Sequence, residues 1–343
     1  MGMIVEGRWT DEDRVIEAGA YVRQNSVHDN TLAPADIAAL STEPGRFYLI
    51  ASHSCPWSHR AVIVRQIKRL ANAVPIHIAH GPRVEGYAAD GGAAWVVPGT
   101  DQKIIHLHQV YTLSDAAYTG RSTTPILWDS KDLRVVSNES AAIMRAFDAV
   151  RPEGHALDFT LLPEPSLSEI DAINADIYHG LANGVYRAGF AEKQGTYDEA
   201  VVQVFATLDG LEARLSGRRY LLGSIITEAD WRLFPTLVRF DAIYYVLHRC
   251  CRRRLIDYPH LWGYARDLYA WQGVAETVHF DVMRDASYKN DTSTNPHCIV
   301  AIAPDADWKA PHGREAFGPV EVALRSGEAV EIEPARLSLV DGS

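Results

Sequence analysis

The sequence predicts an α/β domain followed by an all-helical one. Apolar, β-rich runs alternate with a helical pattern between Arg46 and Val150, and helical periodicity dominates from Leu167 to about Val278. Between them, 151–166 is rich in proline and acid and reads as a linker. The 343 residues suffice for two domains of ordinary size.

Residues 1–45 form a leader whose Asp, Asn, Pro and Gly content predicts an irregular segment wrapped on a domain. Next come a strand over Phe47–Ala51, a helix over Pro56–Leu70 and a strand over Pro75–His80. Both strands are apolar, as in a buried parallel pair joined by a crossover helix. Residues 81–113 read as an insertion. Thr124–Asp129 and Leu133–Ser137 then predict a hairpin, and Asn138-Glu139-Ser140 opens a helix over Ala141–Val150. This order, βαβ then ββα, predicts a thioredoxin-like domain at 46–150.

In the all-α domain, 167–300, helices are predicted over Leu167–Ala191, Tyr197–Leu215, Glu228–Arg249 and Leu261–Tyr269. Thr227-Glu228-Ala229-Asp230 has the hydroxyl-x-x-acid pattern of a capping box. Pro235 should kink its helix or fall in its first turns. The tail, 301–343, holds two alternating segments, Val320–Leu324 and Ala329–Ile332, able to form a small hairpin, and is expected to be mobile or peripheral, against a functional lid.

A net charge of −11 argues against nucleic-acid or anionic-membrane partners. The basic run Arg249-Cys250-Cys251-Arg252-Arg253-Arg254 reads as a solvated helix end. The four cysteines show no disulfide framework, and the vicinal Cys250 and Cys251 have neither zinc nor redox-motif spacing. No metal is expected. Residues 1–10 lack signal-peptide features, and no apolar run reaches membrane-spanning length. A cytoplasmic protein is expected.

Cys55 carries the chemistry. It lies between the first strand and a helix that begins with Pro56, a residue suited to the first helical position. Free amides and the positive end of the helix dipole meet there, and both favour a thiolate. The fourth position is Ser58 rather than a second cysteine, so the thiol needs an external partner. The commonest in a cell is glutathione. Thiol–disulfide exchange of this kind calls for an exposed sulfur of low pKa. A packing role for a lone cysteine is the competing reading. His53 and His59 could raise the thiolate fraction or be plain surface residues.

Several segments together resemble the Xi class of glutathione transferases, the glutathionyl-hydroquinone reductases. They are Ser54-Cys55-Pro56-Trp57-Ser58-His59-Arg60, Leu107–Tyr111, Gly120–Asp129, Asn138-Glu139-Ser140, Asn183–Phe190, Thr227–Phe234 and on to Asp241, Asp257-Tyr258-Pro259, and Asn295-Pro296. The resemblance spans roughly 46–300. It implies the glutathione transferase fold: an α/β thioredoxin-like N-terminal domain followed by an all-α C-terminal domain. It also implies a cis Thr124–Pro125 peptide whose Thr124 backbone meets the cysteinyl part of glutathione. Glu139 and Ser140 would grip the γ-glutamyl end, with helix capping as the alternative or additional role. Trp95 and Arg121 match the remaining glutathione contacts, against a surface or interdomain tryptophan and a structural ion pair. Tyr186 and Tyr288 match tyrosines of the acceptor pocket, against a core role for Tyr186. Ser287 stands where relatives carry another tyrosine, and Asn25–His28 where an aromatic–Arg pair is common.

The implied reaction removes glutathione from an aromatic glutathione conjugate, a glutathionyl-hydroquinone, through a Cys55 mixed disulfide. Glutathione is the co-substrate, and a homodimer is expected. An omega-type thiol transferase or dehydroascorbate reductase, an aromatic ether lyase and a non-catalytic glutathione-binding module are the alternatives.

Overall fold

The leader is more regular than its composition predicts. In the computed structural model, which describes residues 2–12, 15–28, 32–151 and 158–334, it holds two hairpins and a helix. Strands β1 (Met3–Val5) and β2 (Arg8–Thr10) pair antiparallel, as do β3 (Ile16–Glu17) and β4 (Ala20–Tyr21). Helix α1 spans Pro34–Thr42, with proline at its start. Strands of two or three residues are too short to show a period, which is why the sequence reads as irregular. Gly7 turns the first hairpin at φ 76°, and a Cβ there would sit 2.0 Å from the Ala116 carbonyl oxygen. Only glycine fits. The chain divides into two units, Met1–Val15 with Arg23–Glu153, and Ile16–Val22 with Gly154–Ser343. The leader therefore contributes to both.

In the first unit, β5 (Phe47–Ala51) runs into α2 (Pro56–Ile67) and returns as the parallel β6 (Ile76–Ile78). A hairpin of β7 (Trp95–Val96) and β8 (Lys103–Ile104) and helix α3 (His108–Ser114) follow. Strands β9 (Ile126–Asp129) and β10 (Arg134–Ser137) complete a four-stranded sheet of order β10-β9-β5-β6, in which β9 is antiparallel to β5 and to β10. Leu49 lies opposite Ile76 on one side and Leu127 on the other. Helix α4 (Ser140–Ala149) closes the unit against α2. The residues read as an insertion are structural: Ala89, Val97, Ile104, Leu107, Val110 and Tyr111 join Ile50, Ile126 and Trp128 in the core. Each large apolar side chain so buried contributes about 1.5–3 kcal/mol, more than the 0–1 kcal/mol or so of an exposed ion pair. Two ion pairs here bury their carboxylates. Arg46 holds Asp129 through bonds of 2.9 and 2.6 Å, and Lys68 pairs with Asp148 at 3.2 Å between α2 and α4.

The second unit contains β11 (Phe159–Thr160), α5 (Leu167–Ile177), α6 (Gly184–Gly189), α7 (Gln194–Leu215), α8 (Glu228–Arg239), α9 (Pro259–Tyr269) and α10 (Phe280–Asn290), the last unforeseen in the sequence. The predicted helices 167–191 and 228–249 each loosen part-way into a π turn, at Tyr178–Ala182 and Phe240–Tyr244. There Asn183 N–H donates to the Tyr178 carbonyl at 2.9 Å and Tyr245 N–H to that of Phe240 at 2.8 Å, both five residues back. Pro235 stays inside α8, which continues to Arg239. The capping box forms. The Asp230 carboxylate accepts the Thr227 N–H at 2.8 Å, the Leu221 N–H at 3.0 Å and the Tyr264 hydroxyl at 2.8 Å.

The described part of the tail is built into this unit rather than peripheral. Strand β12 (Val320–Leu324) pairs with β11 and with β13 (Ala329–Ile332). The buried Arg219 holds Asp267 at 2.8 and 2.9 Å and donates to the Gly318 carbonyl at 2.7 Å. Arg314 donates to the carbonyls of Leu215 and Arg219. Linker residues 152–157 and tail residues 335–343 lie outside the described residues.

Candidate active site

Strand β5 ends at Ala51, and four residues later Cys55 caps α2 with extended backbone angles, φ −86° and ψ 119°. The Ser58 N–H donates to Cys55 Sγ at 3.4 Å, one of the amides a helix start leaves without an internal partner. Sγ in turn donates to the Thr124 carbonyl at 3.3 Å, and the Thr124–Pro125 peptide is cis. Ser58 is wholly buried, and its Oγ accepts the Ser52 N–H at 3.3 Å. That contact leaves the hydroxyl proton free to face the sulfur.

The expectation of an exposed sulfur does not hold, since Cys55 is 5% exposed. Burial pushes its thiol up, but the Ser58 N–H, the Thr124 and Ser58 side chains and the Arg23 charge outweigh it, so the thiol lies below its ordinary value. The bond to the Thr124 carbonyl favours the protonated form. Once the proton leaves, the N–H and hydroxyl donors and the Arg23 charge carry the anion. Arg23 comes from the leader and lies 4.2 Å above the Trp57 ring, with Arg60 4.4 Å from the same ring. His59 is buried in α2 and His53 half-buried, so neither is a plain surface residue.

Sequence reasoning missed two residues linked to Ser54, the neighbour of the nucleophile. Arg83 Nη2 donates to Ser54 Oγ and to Tyr87 Oη, both at 3.1 Å, and its guanidinium lies 4.2 Å from the Tyr87 ring centre. Burial pushes the Tyr87 phenol up to about 12; Arg83 opposes the rise, whereas the Cys55 charge adds to it. An arginine four residues before an aromatic is too common a spacing to have marked the pair.

The polar chain continues away from the thiol. Asn138 Nδ2 donates to Thr123 Oγ1 and to the Tyr111 hydroxyl, both at 3.2 Å, and that hydroxyl donates to the Thr123 carbonyl at 2.8 Å. Next to Asn138, Glu139 is the N-cap of α4 and Ser140 its first residue. Its Oε1 accepts the Ala141 N–H at 3.1 Å and the Ser140 hydroxyl at 3.3 Å, and its Oε2 accepts the Ser26 hydroxyl at 3.2 Å. The leader thus reaches this end too. His28 exchanges bonds with Asn138 and accepts from the Ser137 hydroxyl.

Cys55, Thr124, Pro125, Glu139 and Ser140 are therefore strung along one hydrogen-bonded edge of the first unit. Arg121 lies three residues before Thr124, half-buried, with its carbonyl accepting from the Tyr118 hydroxyl at 3.2 Å. Trp95 stacks on His77, ring centres 3.9 Å apart, and packs against the core.

Tyr186 and Tyr288 belong to the second unit. Tyr186 follows the first π turn and meets Tyr244, at the end of the second, with hydroxyls 3.5 Å apart. Tyr21, Phe190 and His248 complete an aromatic cluster around it. Tyr288 is buried, burial pushes its phenol up, and its hydroxyl has no hydrogen-bond partner among the described residues. The described residues hold no group of three or more His, Cys, Asp or Glu fit for a metal, and no helix long and apolar enough to cross a membrane.

The Glutathione S-transferase N-terminal domain family matches residues 54–150 and the Glutathione S-transferase C-terminal domain family residues 194–267. Glutathionyl-hydroquinone reductase YqjG of Escherichia coli is 38% identical, over 93% of this chain and 100% of its own. A solved structure of YqjG with glutathione bound superposes with a TM-score of 0.78, covering 91% of this chain and 99% of that one at 35% identity. Glutathionyl-hydroquinone reductase PcpF of Sphingobium chlorophenolicum is 40% identical, over 89% of this chain and 96% of its own. The Xi-class glutathione transferase of Natrialba magadii has a TM-score of 0.78 at 36% identity, covering 92% and 97% of the two chains. A thioredoxin-like unit, a helical unit and relatives this similar over nearly their full lengths lead to one conclusion: the chain belongs to the glutathione transferase superfamily, in the Xi class of glutathionyl-hydroquinone reductases.

Proposed function

We propose that this protein is a glutathionyl-hydroquinone reductase in which Cys55 is the nucleophile and glutathione the co-substrate. The observation that carries the reading is the Cys55 sulfur at the start of α2, with the Ser58 N–H on it and its thiol shifted down despite burial. Ser58 in the fourth position leaves the resolving step to an external thiol.

The Cys55 thiolate attacks the sulfur of the conjugate. The new S–S bond forms as the sulfur–aryl carbon bond breaks, and the electron pair and a proton go to the ring carbon, releasing hydroquinone. A glutathione thiolate then attacks the mixed disulfide, oxidised glutathione leaves, and Cys55 returns as thiolate. Glu139 faces the γ-glutamyl ammonium, and the first amides of α4 face its carboxylate. Thr124 and Pro125 meet the cysteinyl backbone, and Arg121 takes the glycyl carboxylate. Trp95 has the weakest support among the assigned contacts, because His77 already occupies one of its faces. Tyr186 and Tyr288 face the quinol ring, and Tyr186 supplies the proton that the ring carbon takes up. The protein works as a homodimer in the cytoplasm, where reduced glutathione is abundant.

The test is mass spectrometry of the protein mixed with a glutathionylated quinol and no free glutathione. A glutathionyl adduct on Cys55 with one hydroquinone released per adduct is expected, and adding glutathione should clear it. Cys55→Ala should lower turnover by at least about 10³-fold while glutathione still binds. Normal turnover by that variant would overturn the reading.

A further inference from the structure

Arg83 ties the Tyr87 hydroxyl to Ser54, the residue before the reacting cysteine, and nothing in the reaction above uses that phenol. Its hydroxyl has one proton to give and lone pairs to receive. Arg83 has only donors, so the 3.1 Å contact from Nη2 occupies an acceptor position of Tyr87 Oη. The phenolic proton is thereby left to point elsewhere, and the charge on Cys55 acts on the hydroxyl. The same guanidinium is anchored to Ser54 Oγ, one residue before the nucleophile, and lies against the Tyr87 ring. Arg83 thus fixes the phenol and polarises its O–H bond. The arrangement mirrors Ser58, whose hydroxyl accepts the Ser52 N–H and keeps its proton for the sulfur.

We propose that Tyr87 is a catalytic residue whose hydroxyl donates to the Cys55 sulfur, with Arg83 as its positioning residue. The proposal rests on the reading of Cys55 as nucleophile and adds a donor that acts in both halves of the cycle. In the first, Tyr87 stabilises the thiolate that attacks. In the second, glutathione attacks the glutathionyl sulfur, the bond to Cys55 breaks, and its electron pair returns to Cys55 beside the phenol. A leaving thiolate that is better stabilised leaves faster. The phenol keeps its proton throughout, since its value of about 12 is far above neutral pH.

The experiment is the pH dependence of Cys55 alkylation by iodoacetamide in wild type, Tyr87→Phe and Arg83→Met, followed by stopped-flow cleavage of the Cys55–glutathione mixed disulfide. Tyr87→Phe removes one oxygen and keeps the ring. Its alkylation midpoint should rise by about one pH unit, so that below both midpoints the rate falls about tenfold, with a similar slowing of mixed-disulfide cleavage. Arg83→Met should move both in the same direction by less. If the alkylation profiles of both variants overlay that of wild type, the proposal is overturned. Alkylation needs no quinol conjugate, so a wild-type protein that failed to release hydroquinone would sink the proposed function without touching this measurement.

Discussion

Cys55 and Cys250 are both buried, one in each unit, and their thiols are displaced in opposite directions. Burial pushes Cys250 up to about 12, helped by Cys251 and opposed by Arg249, and its sulfur reaches the His248 carbonyl at 3.7 Å. Burial pushes Cys55 up as well, but an amide, two hydroxyl side chains and Arg23 reverse the sign. Desolvation alone makes an inert thiol. What makes a nucleophile is the chain geometry around it: a strand ending four residues before the N-cap of a helix, whose Ser58 N–H meets the sulfur, and the Thr124 side chain brought in by a loop. That is why exposure, which the sequence led us to expect, is not what marks Cys55.

The sharpest way to break this contrast is to alkylate the two sulfurs side by side. A Cys251→Ser, Cys298→Ser variant leaves only Cys55 and Cys250, and tryptic mass spectrometry reads each. Cys250 lies three units above the ordinary value of 9.0 and Cys55 below it, so at neutral pH their thiolate fractions differ by at least about 10³-fold. Cys55 should react throughout neutral pH and lose reactivity as pH falls through its lowered midpoint. Cys250 should stay silent until strongly alkaline pH, where ionisation of its buried thiol also costs stability. Equal reactivity of the two at neutral pH would end the comparison.

The two units also differ in how much of them could be read in advance. Phe47–Ala51 is the same strand in sequence and structure, and Cys55, Pro56 and Ser58 fall where the strand–cysteine–proline–helix pattern puts them. Such features are local, fixed by a few consecutive residues. The donors that tune the thiol are not local. Arg23 comes from a leader read as irregular, and Arg83 and Tyr87, which we propose act on the thiol, from a stretch read as an insertion, so only tertiary packing brings them to this part of the chain. In the helical unit the miss is of another kind. The apolar pattern runs unbroken through Tyr178–Ala182 and Phe240–Tyr244, and a π turn changes which face a residue occupies without changing that pattern. The Tyr186–Tyr244 contact depends on both turns.

That aromatic cluster supplies the second test. Tyr186→Phe keeps the ring packing against Tyr244 and His248 and removes the hydroxyl alone. With Tyr186 as proton donor, kcat for quinol release should fall by about 10²-fold. Glutathione affinity and the Cys55 alkylation profile, which belong to the other unit, should stay as in wild type. A fall in glutathione affinity with unchanged kcat would take Tyr186 out of the acceptor chemistry.

Glu139 allows the smallest and most selective perturbation. As N-cap of α4 it accepts the Ala141 N–H, and as a carboxylate it offers charge to an ammonium. Glu139→Gln separates the two roles, because the amide oxygen can still accept the backbone N–H while the charge is gone. The helix should therefore keep its cap and the protein its melting temperature. Binding of glutathione, read by isothermal titration, should weaken by about tenfold, the low end of what a hydrogen bond to a charged partner contributes. Glutathione lacking its γ-glutamyl residue would not sense the change. If instead the variant lost stability and bound both ligands equally less well, capping would be the whole role of Glu139. The grip on glutathione would then rest on the α4 amides, and the thiol end would be the more specialised part of the edge.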